Sequence, residues 1–297
     1  MFDVVLRNGE IYDGSGGPGR TADMAIKGDK IALIGEVPES GRLEVDAAGL
    51  TIAPGFINMM CWGNESLIED GRSQSDIRQG VTLEVMGEGW SMGPLNDELK
   101  AYKLSRQGDI RYDIEWTTLD EYLTFLTDRG VSPNVDSFVG AGIVRTLVLG
   151  FEDLRPTVEE LAQMEALTAQ AMADGALGVS SALIYAPDSY ADTTELLARA
   201  KVAAAYDGIY VTHLRSESEF FLEALDEFFT IVRGSGARGE IYHLKASGRD
   251  NWPKLDEVVR RVEAERAQGL PVTADMYTYS ASSTGLDAMM PGWVEEG

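Results

Sequence analysis

The sequence predicts an α/β chain: a parallel barrel of the (β/α)₈ TIM type, incomplete at its C-terminus, preceded by a small all-β unit. Three observations predict it. From Thr51 onward, short apolar runs alternate with stretches of helical periodicity, the pattern of a parallel sheet with crossover helices. No fingerprint glycine loop marks the crevice of a doubly wound open sheet. Residues 2–53 read instead as short strands broken by glycine turns.

The N-terminal strands are expected at Asp3 to Leu6, Ile11-Tyr12, Asp23 to Ile26, Lys30 to Ile34 and Leu43 to Asp46. Gly14-Ser15-Gly16-Gly17-Pro18-Gly19 and Gly28-Asp29 supply the breaks. The first of these runs is not a phosphate loop, because no Gly-Lys-Ser/Thr follows and no helix opens after it. The domain division expected is 1–53 for the β unit and 54–297 for the barrel. Barrel strands are read near 51–59, 81–86, 135–141, 176–182, 208–213, 240–244 and 271–276. Helices are clearest at 157–174, 193–206, 218–233 and 254–267, the first opening with Thr157 as N-cap and Glu160 three residues on. Residues 92–133 read as a long polar connection carrying one helix, about Leu119 to Asp128. The eighth strand is missing, which leaves the ring open, so the 297-residue chain is expected to be marginally folded and inactive by itself.

Composition narrows the function. The 297 residues are 44% hydrophobic and 25% charged, ordinary for a globular chain with a large core. Forty-nine acids against 25 bases give a net charge of −24, which speaks against a nucleic-acid partner. It also means that an anionic substrate needs local cations at its site. The single Cys61 rules out an internal disulfide and a cysteine-based zinc cluster. The N-terminus Met-Phe-Asp-Val-Val-Leu-Arg is not a secretory signal, and no apolar stretch of about 18 residues offers a membrane span, so a cytoplasmic location is expected.

Chemistry concentrates at strand ends, where a barrel carries its reactive groups. Both histidines close β-like runs, His213 in Val-Thr-His-Leu-Arg and His243 in Ile-Tyr-His-Leu-Lys, 30 residues apart. That spacing suits a strand, a helix and the next parallel strand. Glu88 stands between two glycines just past another apolar run, in Met86-Gly87-Glu88-Gly89. Glu88, His213 and His243 together form a ligand set for a catalytic zinc, which takes three protein ligands and keeps one position open. Arg215 and Lys245 each follow a histidine by two residues, on the same face of an extended strand, and are candidates for gripping a substrate carboxylate. Ser180 and Ser181 allow a serine hydrolase as a competing reading, but the Gly-x-Ser-x-Gly elbow is absent. Tyr277 and Tyr279 alternate on the seventh strand, as either core or site aromatics.

These residues resemble the amidohydrolase superfamily and, within it, the D-aminoacylase (N-acyl-D-amino-acid deacylase) family. The resemblance rests on Phe2 to Gly9, Ile11 to Gly16, Ala53 to Asn58, Gly80-Val81-Thr82, Gly89 to Pro94, Gly178 to Pro187, His213 to Glu217, His243 to Lys245 and Asp275 to Tyr279, which together span nearly the whole chain. It implies that the N-terminal unit is part of a small β-sandwich. It implies a single Zn²⁺ on Glu88, His213 and His243, and a substrate carboxylate held by Lys245, Tyr277 and Ser283, with Arg215 the basic residue after the first histidine. It further implies hydrolysis of N-acyl-D-amino acids, a small-molecule substrate, by a zinc-activated water. The general-base Asp of the family lies on strand eight, beyond Gly297, so no catalytic residue is assigned. Two departures stand out: Met60-Cys61-Trp62 replaces the superfamily's His-x-His, and Glu88 stands where the family carries a cysteine ligand. The alternatives are a cyclic-amide hydrolase of the dihydropyrimidinase or hydantoinase kind, and an inactive ligand-binding relative or fragment.

Overall fold

The computed structural model describes residues 1–290. The chain divides into two compact units, Met1–Phe56 and the remainder from Ile57 onward.

The N-terminal unit is one mixed sheet. Strands β1 (Phe2–Ile11), β2 (Arg20–Lys27) and β3 (Lys30–Gly35) pair antiparallel in succession, while β4 (Gly41–Asp46) and β5 (Thr51–Ile52) lie parallel to β1. The first strand is longer than the sequence pattern suggests. Its apparent break is a bulge between Leu6 and Gly9: Asn8 takes φ 61°, and its N–H donates to Asp23 Oδ1 at 2.9 Å. The extra residue is absorbed without ending the pairing. Residues 51–52 were expected to open the barrel, yet they pair with β1.

In the second unit, β6 (Phe56–Asn58), whose first residue closes the N-terminal unit, leads into two single-turn helices, α1 (Ser66–Glu69) and α2 (Gln74–Ile77), and then β7 (Val81–Met86). The polar connection carries α3 (Asp97–Arg106) and α4 (Leu119–Arg129). Both start on side-chain caps, Asn96 accepting from Leu99 N–H and Thr118 forming a full capping box with Glu121. Next come β8 (Asn134–Ser137), β9 (Val139–Gly140), α5 (Ala141–Leu149) and α6 (Val158–Ala173), the last capped by the Thr157/Glu160 box that the sequence signalled. Then follow β10 (Gly178–Ala182), α7 (Thr193–Ala205), β11 (Ile209–His213), α8 (Phe221–Ser235), β12 (Arg238–Ile241), α9 (Lys254–Ala267) and β13 (Val272–Ala274).

The strands from β9 to β13 form a parallel sheet in chain order, and β6, β7 and β8 form a second one. β8 and β9 are one run of backbone interrupted at Phe138, whose N–H still donates to Met86 O at 2.9 Å. Helix α5 occupies a stretch in which the sequence reading places no element, because its nine residues are nearly all apolar and no side-chain cap marks its start. The central strands β10, β11 and β12 are buried on both faces over most of their length, as parallel strands covered by helices require. One large cluster packs the helices, through Leu196, Leu225, Phe228 and Ile231 among others. A smaller one on Val85, Phe138, Val211 and Tyr242 draws one residue from each of four strand positions. Among the described residues no helix is long and apolar enough to cross a membrane.

Candidate metal centre

The strand ends place three donors together. One ligand atom from each of Glu88, His213 and His243 lies within 4.8 Å of the other two, and all three residues are buried. Glu88 Oε1 stands 3.1 Å from His213 Nδ1 and 3.6 Å from His243 Nε2.

Local backbone conformation explains why these residues can converge. The chain turns sharply on either side of Glu88, with Gly87 at φ 97° and Gly89 at φ 60°. A side chain at Gly87 would meet Phe138 O at 2.4 Å, and one at Gly89 would meet Asp188 Oδ2 at 2.6 Å, so both positions need glycine. Ser180 ties the turn down: its hydroxyl donates to Gly87 O and accepts from Gly89 N–H. His243 itself sits at φ 37°, in the left-handed region that a non-glycine residue seldom adopts. Asp275 holds it there by accepting the His243 N–H on Oδ1 at 2.6 Å, while Asp275 O accepts the Leu244 N–H at 2.9 Å. The other carboxylate oxygen of Asp275, Oδ2, is buried without a hydrogen-bond partner.

The electrostatics favour positive charge. Burial by itself would push the Glu88 carboxyl up, but hydrogen bonds from His213 and His243, together with their charge, outweigh it and hold the group at about 2. Burial would lower His243, yet hydrogen bonds to Glu217 and Glu88 raise it to about 9. A site that stabilises a proton this strongly suits a cation of higher charge, and neutral imidazoles with a carboxylate are the donors zinc accepts. The spacing fits as well: bonds of about 2.0–2.1 Å to a tetrahedral ion separate neighbouring ligands by roughly 3.3 Å.

A residue that the sequence reading passed over lies on the other side of the two imidazoles. Glu217 Oε1 is 3.1 Å from His243 Nδ1, 3.5 Å from His213 Nε2 and 2.5 Å from Lys245 Nζ. Its carboxyl is held below the ordinary range: burial opposes this, but the His243 hydrogen bond and the charges of His213 and Lys245 prevail. The available signal was an acid four residues after a strand-ending histidine, in His213-Leu214-Arg215-Ser216-Glu217.

These groups line a cavity of about 1620 Å³. Lys245, Tyr277 and Ser283 all face it. Lys245 Nζ lies 5.7 Å from the centre of the Tyr277 ring, and Tyr277 and Tyr279 stack at 4.8 Å. Arg215 lines the cavity too, but its guanidinium is committed otherwise than expected. It donates twice to Glu227, at 2.8 and 3.0 Å, and to the carbonyls of Ser189 and Ala191, each at 2.8 Å. Four of its five N–H groups are thereby used, so it braces the 189–191 segment instead of standing open for a carboxylate.

The positions that depart from His-x-His have their own chemistry. Trp62 donates its indole N–H to Glu88 Oε2 at 3.0 Å, and an indole has no lone pair to offer a metal. The Cys61 thiol is pushed up to about 12 by burial and by its hydrogen bond to Glu84, 3.1 Å away, so it is not a ready thiolate ligand. The serine-hydrolase reading also fails on geometry. Ser180 is engaged with the Glu88 turn, and Ser181 hydrogen-bonds Tyr210 at 2.9 Å and Thr212 at 2.8 Å, away from either imidazole.

No family model matches the chain. It is 35% identical over 290 residues to D-aminoacylase from Alcaligenes xylosoxydans xylosoxydans, covering 96% of this chain and 59% of that protein. A solved structure describing the binuclear metal centre of D-aminoacylase superposes with a TM-score of 0.83 at 32% identity, over 94% of this chain and 59% of that one. N-acyl-D-glutamate deacylase from Bordetella bronchiseptica, complexed with zinc and a phosphonate inhibitor, gives 0.83 at 29% identity over the same shares. L-hydantoinase from Arthrobacter aurescens, at 15% identity and a TM-score of 0.57, shares the fold alone. The chain therefore spans about 59% of the length of the relatives it matches.

Proposed function

We propose, from the premise that the chain is a relative of the D-aminoacylases along 96% of its length, that it forms the metal-holding part of a hydrolase cleaving N-acyl-D-amino acids to a carboxylate and a free D-amino acid. The observation that carries this reading is the convergence of Glu88, His213 and His243 in a cavity that also presents Lys245 and Tyr277. In this reading the seven parallel strand positions belong to a (β/α)₈ barrel of the amidohydrolase kind, and residues 1–53 are the N-terminal part of a β-sandwich domain.

One zinc ion is the proposed cofactor, on Glu88, His213 and His243. A metal there would polarise the amide carbonyl and lower the pKa of a water toward about 7. The chain's own residues do the rest of the binding. Lys245, whose ammonium is engaged by Glu217 at 2.5 Å and His243 Nδ1 at 2.9 Å, is the cation this reading assigns to an anionic substrate in a chain of net charge −24, the carboxylate replacing part of those contacts. Tyr277 and Ser283, which line the same cavity, would donate their hydroxyls to that carboxylate, while Arg215 braces the 189–191 segment. Met59, Met60, Leu183 and Ile184 give the cavity an apolar side against which an acyl chain excludes water. The proton-transferring residue is left unassigned; Asp275 anchors the His243 backbone through Oδ1.

The test is release of free amino acid from N-acetyl-D-amino acids by the protein extended to the length of its relatives, before and after chelation and on readdition of zinc. Metal-dependent turnover of the D but not the L series is expected; a protein that binds zinc yet hydrolyses neither series would sink the assignment. Lys245→Ala should lower kcat/KM for free acids by roughly 10- to 100-fold, the worth of a hydrogen bond to a charged group. The corresponding amides, which offer no charge, should be affected far less. Equal losses on both would move Lys245 out of substrate recognition.

A further inference from the structure

Glu88 and Glu217 flank the same two imidazoles, and each ring shows one nitrogen to each carboxylate. His213 turns Nδ1 to Glu88 and Nε2 to Glu217; His243 turns Nε2 to Glu88 and Nδ1 to Glu217. Two cation positions are thus imaginable, but the Glu217 side is already occupied by the Lys245 ammonium, 2.5 Å from Glu217 Oε1 and 2.9 Å from His243 Nδ1. On the Glu88 side the further donor is the neutral indole of Trp62. We propose that Glu217 is the positioning residue of the metal centre: its Oε1, 3.1 Å from His243 Nδ1 and 3.5 Å from His213 Nε2, draws the N–H of each imidazole to its own side when a metal binds, leaving His213 Nδ1 and His243 Nε2 as lone pairs toward Glu88. This rests on the metal-centre reading above.

The reason such a residue is needed is Lys245. A neutral imidazole carries one proton, and an ammonium can only donate. Left alone with His243 Nδ1, Lys245 would hydrogen-bond to its lone pair and drive the proton to Nε2, where it would block the metal. Glu217 can only accept, so it draws the proton to Nδ1 and at the same time engages the ammonium that competes for that nitrogen. His213 Nε2 is buried, has no hydrogen-bond partner and lies 3.5 Å from the same oxygen, so an N–H placed there would find its acceptor in Glu217. One carboxylate therefore sets both tautomers, the role that outer carboxylates play behind metal-bound histidines.

The experiment is metal affinity, read by competition with a chromophoric chelator for zinc, in the purified protein and its Glu217→Ala and Glu217→Gln variants. Glu217→Ala should bind zinc about 10- to 100-fold more weakly, the usual cost of losing an outer-shell partner. Adding Lys245→Met to Glu217→Ala should recover most of that loss, because the competing donor is gone; a merely structural role for Glu217 would not produce this recovery. Glu217→Asp should restore part of the affinity. If Glu217→Ala does not fold by circular dichroism, Glu217→Gln with and without Lys245→Met carries the test. Wild-type affinity in a folded Glu217 variant, or a double variant no better than the single, would overturn the proposal. Failure of the underlying reading looks different: the parent protein would not bind zinc, or Glu88→Gln would bind it as tightly as the parent.

Discussion

Arg145 and Glu195 form an ion pair of 2.5 Å whose side chains are 0% and 1% exposed, and Glu88 and His213 form one of 3.1 Å at 6% each. Both pairs are buried, yet they differ in what surrounds them. Around the first, Arg199 and Asp188 add one more charge of each sign, and guanidinium N–H groups are spent on backbone: Arg145 on Leu154 O at 2.5 Å, Arg199 on Ala141 O at 2.8 Å. Around the second, two carboxylates face one ammonium, and imidazole lone pairs open on a cavity. Burial of charge alone thus says little about function. An excess of acceptors facing open volume says more, because that is what a cation can satisfy.

The comparison can be broken most directly at Glu88. Glu88→Gln should weaken zinc binding by more than the roughly 100-fold at the top of the outer-shell range, measured by chelator competition. If zinc binding is unchanged, Glu88 is as inert as Glu195 and the contrast fails.

Next in size is the structural pair. Arg145→Met leaves Glu195 buried without its partner and should cost about 3–5 kcal/mol in urea unfolding, whereas Arg145→Met with Glu195→Leu should be near neutral or stabilising. Zinc affinity of the double variant should match the parent. A shift in affinity would show that the two clusters are one network.

The smallest effect concerns pH. Burial pushes the Asp188 carboxyl up to about 7, against an ordinary 3.8, with the Ala182 N–H and the arginines only partly offsetting it. An acid whose folded value is raised holds its proton in the folded state where the unfolded chain has lost it. Its contribution to stability is therefore fully present below pH 3.8 and is lost as pH climbs to about 7, by at most roughly 1.4 kcal/mol per unit. Asp188→Asn should flatten the fall in the urea midpoint between pH 5 and 7. An unchanged slope would mean that Arg145 and Arg199 keep Asp188 ionised throughout.

What was legible in the sequence follows the same division. His213 and His243 could be read as paired strand-end groups because β-runs precede both, and Glu88 because only a tight turn calls for glycine on either side. Glu217 was not legible, since it lies in a loop without period and its meaning depends on Lys245, 28 residues away. Arg215 was misread because strand alternation gives the direction of a side chain but not its partner, and Glu227 belongs to the next helix. Helix α5 was invisible for a related reason: its one charged residue, Arg145, is buried against Glu195, 50 residues downstream, and its start at Gly140 has no side-chain cap.

Two of the three donors are held in shape by chain that comes after them. The turn carrying Glu88 is locked by Ser180, and the left-handed bend at His243 by Asp275. A chain made from its N-terminus thus emerges with Glu88 ninety-two residues ahead of its lock and His243 thirty-two ahead of its own. During synthesis neither donor has its final geometry, and a passing metal ion finds single, mobile side chains in place of a chelate. Competence of the His243 donor therefore waits on Asp275, just past β13, which ties selective metal capture to the docking of that segment.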